Sequence, residues 1–214
     1  MTTLIVVRHG QSVSNLQQRF TGQNETDLTS LGHQQAENTA RFLDHYSIDK
    51  IYASDLSRAM ETARHTAERQ GLTVISDRGF REIDAGAWEG MEYVAIKERY
   101  SETFETWLTD LGHAHPDGGE SVAELAARVY AAVDRVVDEN RGKTVAIFTH
   151  ATPLRMLGCR WHGLLPADAM KINGCANASV SVVEYEDDGS FRLVVYGYDK
   201  HQGKNVTVLP RGLV

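Results

Sequence analysis

Four basic side chains, two arginines and two histidines, lie where predicted strands end or where the following helices begin. Arg8 and His9 follow the apolar run Leu4–Val7, Arg58 lies in the first turn of the helix after the second predicted strand, and His150 follows the fourth strand. In such sheets ligands bind at the carboxyl ends of the strands, so these four groups are expected to converge there. Guanidinium groups beside neutral imidazoles suit a phosphate, because arginine binds its oxygens through paired N–H donors. The sequence therefore predicts a phosphate pocket.

A neutral histidine in such a pocket can act as a covalent nucleophile. Two arginines neutralise the phosphoryl charge, so an imidazole nitrogen can approach in line, and transfer then rests on positioning and electrostatic stabilisation. The second histidine can donate to a developing oxygen charge, and the helix that starts after His150 adds backbone N–H donors. A leaving alkoxide also needs a proton. Glu82 is the best candidate for this acid, and Asp84 and Glu89 compete with it.

The elements that must position these residues alternate between strands and helices, followed by a hairpin. This order predicts an α/β fold, a three-layer sandwich around a mostly parallel sheet with an antiparallel edge. The predicted strands are Leu4–Val7, Ile48–Ser54, Leu72–Ile75 and Thr144–Thr149, with a hairpin of Ala178–Tyr185 and Phe191–Tyr198. The predicted helices are Thr29 to Tyr46, a helix capped by Asp55 that runs to Gln70, Ser121 to Asn140, and one with Thr152 as cap and Pro153 first.

The chain length of 214 residues fits a single domain over residues 1–214, with an insertion at about 86–119 expected to lie over the active site. A net charge of −7 argues against broad nucleic-acid binding, which depends on clustered Lys and Arg. The two cysteines form no disulfide framework, and the N-terminus lacks the features of a signal peptide. No apolar run is long enough to span a membrane. We therefore expect a cytoplasmic protein without nucleic-acid or membrane partners.

Short motifs in a fixed order across residues 4–160 resemble the histidine phosphatase superfamily, also called phosphoglycerate-mutase-like. The Arg-His-Gly sequence alone is a weak indication of this family, whereas the whole ordered series of motifs is a specific one. The motifs are Arg8-His9-Gly10, Asn15, Phe20-Thr21-Gly22, Asp27-Leu28-Thr29, Leu31-Gly32, Ser54-Asp55-Leu56-Ser57-Arg58-Ala59, Arg81-Glu82, Trp88-Glu89-Gly90, Gly118-Gly119-Glu120-Ser121 and Thr149-His150.

The resemblance implies a phosphoglycerate-mutase-like fold and a role for each matching residue. His9 is the phosphorylated nucleophile, and Glu82 is the proton donor that later activates water. The remaining residues implied to surround the phosphate or the substrate are Arg8, Arg58, His150, Asn15, Thr21, Gly22 and Ala151. The resemblance implies that this chemistry needs no metal, and we expect no cofactor for this protein. The expected partner is a small phosphorylated metabolite, and the oligomeric state stays open, with a homodimer among the alternatives.

Two reactions are compatible with the resemblance, and the phosphatase is favoured over a 2,3-bisphosphoglycerate-dependent phosphoglycerate mutase. Similar mutases carry a lysine soon after the loop glycine and paired arginines after a tryptophan, which hold the substrate carboxylate. Here Met91 follows Gly90, and Leu108 and Thr109 follow Trp107. The segment 115–121 is similar to the phosphatase branch, whereas 19–22 would suit a mutase.

The insertion is rich in aromatic residues, which either line the leaving-group side of the pocket or cover the edge of the sheet. These residues are Trp88, Tyr93, Tyr100, Phe104 and Trp107.

Two further hypotheses remain. The first is a phospho-ligand-binding protein without catalytic activity, which is disfavoured because candidates for the nucleophile, the arginines and the acid are all present. The second is a metal site at His113 and His115, which is disfavoured because no third ligand lies nearby in the sequence.

Overall fold

The computed structural model describes residues 1–208, so residues 209–214 of the predicted domain lie outside the described part of the chain. The strands of the described residues form one sheet. They are β1 (Thr2–Arg8), β2 (Lys50–Ala53), β3 (Val74–Ser76), β4 (Thr144–Thr149), β5 (Val180–Tyr185) and β6 (Phe191–Tyr198).

Helices connect these strands and cover the sheet. The α-helices are α1 (Val13–Leu16), α2 (Ser30–Leu43), α3 (Ser57–Gln70), α4 (Tyr93–Arg99), α5 (Ser101–Thr109), α6 (Val122–Glu139) and α7 (Ala151–Trp161). Short 3-10 helices lie at Arg78–Phe80, Gly86–Trp88, Leu111–His113, Pro166–Lys171 and Lys200–Asn205. Within residues 1–208, no helix has the length and the apolar composition needed to cross a bilayer.

The strand order β3-β2-β4-β1-β5-β6 confirms the predicted mostly parallel sheet with an antiparallel edge. Strands β3, β2, β4 and β1 pair in parallel, whereas β5 and β6 run antiparallel to their neighbours. Arg8 at the end of β1 pairs with Thr149 at the end of β4. The residues that follow these two strands are therefore neighbours at one edge of the sheet.

Two hydrophobic cores, one on each face of the sheet, confirm the three-layer sandwich. Leu4 and Val6 of β1 face a core built with α6 and α7, whereas Ile5 and Val7 face a core built with α2 and α3. Successive side chains of a strand point to opposite faces, so β1 must be apolar along its length to fill both cores. This explains the run of fully buried residues that precedes the functional side chains.

Two predicted helix starts are wrong. Leu56 is the N-cap residue of α3, without a side-chain hydrogen bond, and Asp55 instead forms an ion pair with Arg81. Helix α7 begins at Ala151, so Pro153 is its third residue rather than its first. Proline is tolerated there because the first N–H groups of a helix have no partner within the helix.

Smaller boundary differences have local causes. Strand β3 covers Val74–Ser76 rather than 72–75, since Leu72 N–H is bonded to Ala67 O at the end of α3. Strand β5 starts two residues later than predicted, after Ala178, whose φ of 55° is incompatible with an extended strand.

Candidate active site

One pocket at the carboxyl ends of β1 and β4 contains eight of the nine residues predicted for the site. These are Arg8, His9, Asn15, Thr21, Gly22, Arg58, Glu82 and Ala151. The ninth, His150, lies against His9, with 5.1 Å between the two ring centroids. The structure thus brings together residues up to 143 positions apart in the sequence (151 − 8). The role of each residue stays a prediction.

Hydrogen bonds hold both the backbone and the imidazole ring of His9. Its backbone N–H donates to Thr149 O at 2.9 Å, and its Nδ1 lies 2.6 Å from Gly10 O. A carbonyl oxygen only accepts, so Nδ1 carries the ring proton and Nε2 keeps a free electron pair. Gly10 N–H in turn donates to the hydroxyl of Thr62 at 3.0 Å. This tautomer is the one that a nucleophilic Nε2 requires.

Both histidines of the pocket are held in the neutral form. Burial lowers the pKa of His9 well below its usual value, and the positive charges of Arg58 and Arg8 lower it further. Burial and the same two arginines also lower the pKa of His150. His150 Nε2 is 2.8 Å from the hydroxyl of Ser54, and its Nδ1 has no partner among the described residues. Neither imidazole is therefore positively charged at neutral pH.

Arg8 and Arg58 supply positive charge without a carboxylate partner. They are 2% and 1% exposed, and within the described chain neither forms an ion pair. Arg58 donates to the backbone oxygens of Asn24 and Gly22, and Arg8 donates to that of Cys175. Burial lowers the pKa of Arg58 to about 10, so its guanidinium remains charged at neutral pH. Glu82 lies near enough to act on both guanidinium groups electrostatically but forms no ion pair with either. Two buried cations without an ion pair favour an anionic ligand between them.

The carboxylate of Glu82 lies at the start of helix α7. Oε1 accepts from its neighbour Ile83 N at 2.9 Å, and Oε2 accepts from Ala151 N at 3.2 Å and Thr152 N at 3.4 Å. The backbone donors that the sequence analysis expected to contact a phosphate thus contact this side chain instead. The N–H groups at the start of α7, which have no partner within the helix, thus find an acceptor in this side chain and fix its position.

The competing carboxylates lie outside the residues that line this pocket. Asp84 Oδ1 accepts from Gly86 N at 3.0 Å, and Glu89 Oε1 accepts from Gln23 N at 2.7 Å. Both side chains therefore stabilise loop backbone. Glu82 is the one carboxylate of the three that faces the pocket formed by the described chain.

Asn15 presents its amide N–H₂ group to the pocket. Its Oδ1 accepts from Ser12 N and from Asn177 Nδ2, each at 3.2 Å, which leaves Nδ2 as the free end. Asn177 also donates to His9 O at 3.2 Å. The contribution of Asn177 was missed, because no local pattern links it to a strand end 168 residues away.

The lining of the pocket is partly aromatic. Tyr93 and Trp107 of the segment 86–119 line the pocket, together with Phe20 and Thr152, which were not predicted there. Phe20 belongs to the motif Phe20-Thr21-Gly22, so its place next to Thr21 and Gly22 in the chain could have indicated it. All five aromatic residues of this segment are packed in or against the core, and Trp88, Tyr100 and Phe104 do not line the pocket. Burial raises the pKa of Tyr93, so its hydroxyl stays protonated.

The histidines considered for a metal site have other partners. His113 Nδ1 lies 2.9 Å from Asp110 Oδ1, and His115 Nε2 lies 3.0 Å from Gly119 O. Over residues 1–208, no three His, Cys, Asp or Glu side chains are grouped so that they could hold a metal ion.

The sequence profile of the histidine phosphatase superfamily (branch 1) matches residues 4–199. The chain therefore belongs to this superfamily. Phosphoserine phosphatase 1 of Hydrogenobacter thermophilus is 36% identical over 87% of the chain and 88% of its own length. Phosphoglycerate mutase-like protein 4 of Arabidopsis thaliana is 31% identical over 92% of the chain and 86% of its own length.

The fold comparison agrees with this assignment. The mycobacterial glucosyl-3-phosphoglycerate phosphatase solved with VO3 superimposes with a TM-score of 0.84 at 31% identity. The matched region covers 92% of the chain and 99% of that protein. Similarity to phosphatases, in sequence and in structure, supports hydrolase activity.

Proposed function

We propose that this protein hydrolyses a small phosphomonoester through a phosphohistidine intermediate on His9. The observation that carries the proposal is the neutral imidazole with Nδ1 bonded to Gly10 O, beside two buried arginines that lack carboxylate partners. Arg8 Nε and Arg58 Nε are buried donors without a partner among the described residues. His150 Nδ1 has no partner there either, and it is a donor when Ser54 Oγ donates to His150 Nε2. A bound phosphoryl group would accept hydrogen bonds from such donors, which supports its placement between them.

In the first step, His9 Nε2 attacks the phosphorus atom and the bond between phosphorus and the ester oxygen breaks. The carboxyl proton of Glu82 passes to the departing oxygen, so that a neutral alcohol leaves. The two arginines and His150 stabilise the equatorial oxygens.

In the second step, the carboxylate of Glu82 takes a proton from water, and the resulting hydroxide attacks the phosphohistidine. The bond between phosphorus and nitrogen breaks, His9 regains its neutral form, and inorganic phosphate leaves with Glu82 protonated again. No electrons are exchanged with an outside donor, and none of these steps requires a metal.

The mutase is the second candidate, because relatives named as mutase-like match most of the chain. It differs from the phosphatase in that the phosphohistidine passes its phosphoryl group to a sugar-acid hydroxyl rather than to water. A mutase must hold a carboxylate as well as a phosphate. In the described part of the chain, the only cationic side chains that line the pocket are Arg8 and Arg58. This favours the phosphatase.

The proposal is tested by trapping the intermediate. Wild-type protein mixed with a ³²P-labelled phosphomonoester and quenched in alkali should carry label that is stable in alkali and released by acid. His9→Asn should carry none and should lose turnover of 4-nitrophenyl phosphate by more than about 10⁴-fold, as expected for removal of a nucleophile. The far-ultraviolet circular dichroism spectrum serves as the folding control.

Turnover that persists in His9→Asn would remove His9 as the nucleophile. Addition of a chelator should leave wild-type hydrolysis unchanged. With 3-phosphoglycerate and 2,3-bisphosphoglycerate present, release of inorganic phosphate supports the phosphatase, whereas exchange to 2-phosphoglycerate without release supports the mutase.

A further inference from the structure

The main chain that carries Glu82 is held by side chains at four successive carbonyl groups. Arg128 Nη1 donates to Gly79 O and Arg81 O, each at 3.1 Å, and Thr149 Oγ1 donates to Phe80 O at 2.7 Å. Glu82 O accepts from Arg128 Nη2 at 3.3 Å and from Gln23 Nε2 at 3.2 Å. Residues 79 and 80 end a short 3-10 helix, and residues 81 and 82 lie in no helix or strand. These contacts therefore fix carbonyl groups that no strand or α-helix pairs.

Three of these four carbonyls depend on one arginine of α6. Arg128 is oriented by Glu120, with 2.9 Å between Nε and Oε1 and 2.7 Å between Nη2 and Oε2. Such a fork-to-fork pair fixes the plane of the guanidinium as well as its position. The side chains of Arg128 and Glu120 are 26% and 16% exposed, so the pair is partly shielded from water.

Glu120 belongs to the Gly-Gly-Glu-Ser motif, to which the proposed reaction assigns no role. Its backbone N–H donates to Asp84 O at 2.8 Å. The backbone of Glu120 therefore contacts the main chain two residues after Glu82. The carboxylate of Glu120 orients Arg128, which donates to main-chain carbonyl groups at Glu82 and just before it. The preceding Gly119 must be glycine because a Cβ there would overlap Asp84 O.

We propose that Arg128, oriented by Glu120, is a positioning residue: it sets the distance between the Glu82 carboxyl group and the leaving oxygen. The inference rests on the proposed role of Glu82 as proton donor. Proton transfer needs the two heavy atoms at about 2.6–3.2 Å, and a displacement of about 1 Å can cost about 10²-fold in rate. Among the described residues, the hydrogen bonds of Arg128 reach the pocket lining only at Glu82 O. Its charge also contributes, after burial and the charges of Arg58, His9 and Arg8, to the lowered pKa of His150.

The test compares leaving groups. 4-Nitrophenolate departs without a proton, whereas the alkoxide of benzyl phosphate needs one. The ratio of kcat/KM for 4-nitrophenyl phosphate to that for benzyl phosphate therefore measures proton donation, since kcat/KM covers the steps up to departure of the alcohol. Arg128→Met should raise this ratio about tenfold or more, with the inhibition constant of inorganic phosphate unchanged within about threefold.

Arg135→Met is the matched control. Arg135 lies on the same helix and forms an ion pair with Asp77, just before the held segment, but it donates to none of the four carbonyls. This variant should leave the ratio at the wild-type value even where thermal stability falls. Arg128→Lys is a second variant that preserves the charge beside Glu120. A lysine is a point charge that cannot bridge three carbonyls, so the ratio should rise here too.

Glu82→Gln separates the two proposals. If Glu82→Gln raises the ratio and both Arg128 variants leave it unchanged, Arg128 supports the fold only and the inference is overturned. If Glu82→Gln leaves the ratio unchanged, Glu82 is not the proton donor, and the proposed function and the inference both fail at that residue. Equal losses of Arg128→Met on both substrates, with weaker phosphate inhibition, would likewise overturn the inference.

Discussion

At the scale of single residues, the chemistry depends on keeping imidazoles neutral in a pocket that contains two cations. Burial and the arginines act in the same direction on His9 and His150, because both disfavour a further positive charge. The pocket can thus hold an anion strongly while its nucleophile keeps a free electron pair. The negative charge of a phosphoryl dianion would raise the pKa of these histidines only after the dianion has bound.

The protonation state of His9 can be observed directly by ¹⁵N NMR of the histidine side chains. Because the pKa of His9 is lowered, its neutral form should persist when the pH falls through 6.5, the usual histidine value. The spectrum should show a proton on Nδ1 and none on Nε2, as the bond to Gly10 O requires. His9→Asn assigns the signal. A signal that titrates near pH 6.5 would contradict the electrostatic account of the pocket.

At the scale of elements, the turn after β1 lies directly against helix α2. A Cβ added at Gly10 would lie 2.5 Å from Gly32 O, and a Cβ at Gly32 would overlap Gln11 O. Both contacts are with backbone, which cannot move aside as a flexible side chain can. The Leu-Gly motif of α2 therefore allows the helix to approach the turn that carries the nucleophile.

Gly32→Ala should consequently impair both stability and activity. We expect a loss of about 1–3 kcal/mol in the free energy of unfolding, which is typical of overpacking, and a fall in kcat/KM because the His9 turn is displaced. Urea denaturation and 4-nitrophenyl phosphate hydrolysis measure the two effects. Gln34→Ala, an exposed position of the same helix, is the control and should change neither. Unchanged activity in Gly32→Ala would show that the turn tolerates the shift.

At the scale of the whole molecule, neutral buried histidines link the site to the stability of the fold. His9 and His150 lie at the end of the sheet, and His201 lies near the end of the described chain, stacked on Phe42. Burial lowers the pKa of His201 as well. The cytoplasmic location and the absence of nucleic-acid and membrane partners stay predictions from the sequence.

These three groups predict how stability depends on pH. The unfolded chain takes up protons on its histidines near pH 6.5, whereas the folded chain does not, so stability is complete above that pH and is lost on acidification. Each histidine contributes up to about 1.4 kcal/mol per pH unit. Urea denaturation at pH 7.5, 6.5 and 5.5 measures the slope. His201→Gln should reduce this slope by the contribution of one histidine, because one group fewer takes up a proton on unfolding. Stability that is flat or rises between pH 7.5 and 5.5 would contradict the prediction.

The sequence by itself determined the order of strands and helices, the sandwich, and which residues follow the ends of β1 and β4. Those features follow from local patterns of apolar residues, and parallel pairing then brings the strand ends together. The basic side chains Arg8, His9 and His150 of the pocket could be predicted for the same reason, since each directly ends or follows a strand.

Only the tertiary structure decided which of the three carboxylates faces the pocket, that Asp55 pairs with Arg81, and that Asn177 supports His9. It also decided that Arg128 holds the main chain of Glu82. Each of these is a hydrogen bond or ion pair between segments distant in the sequence. Such contacts depend on the packing of helices and loops against the sheet, and no local propensity or periodicity records that packing.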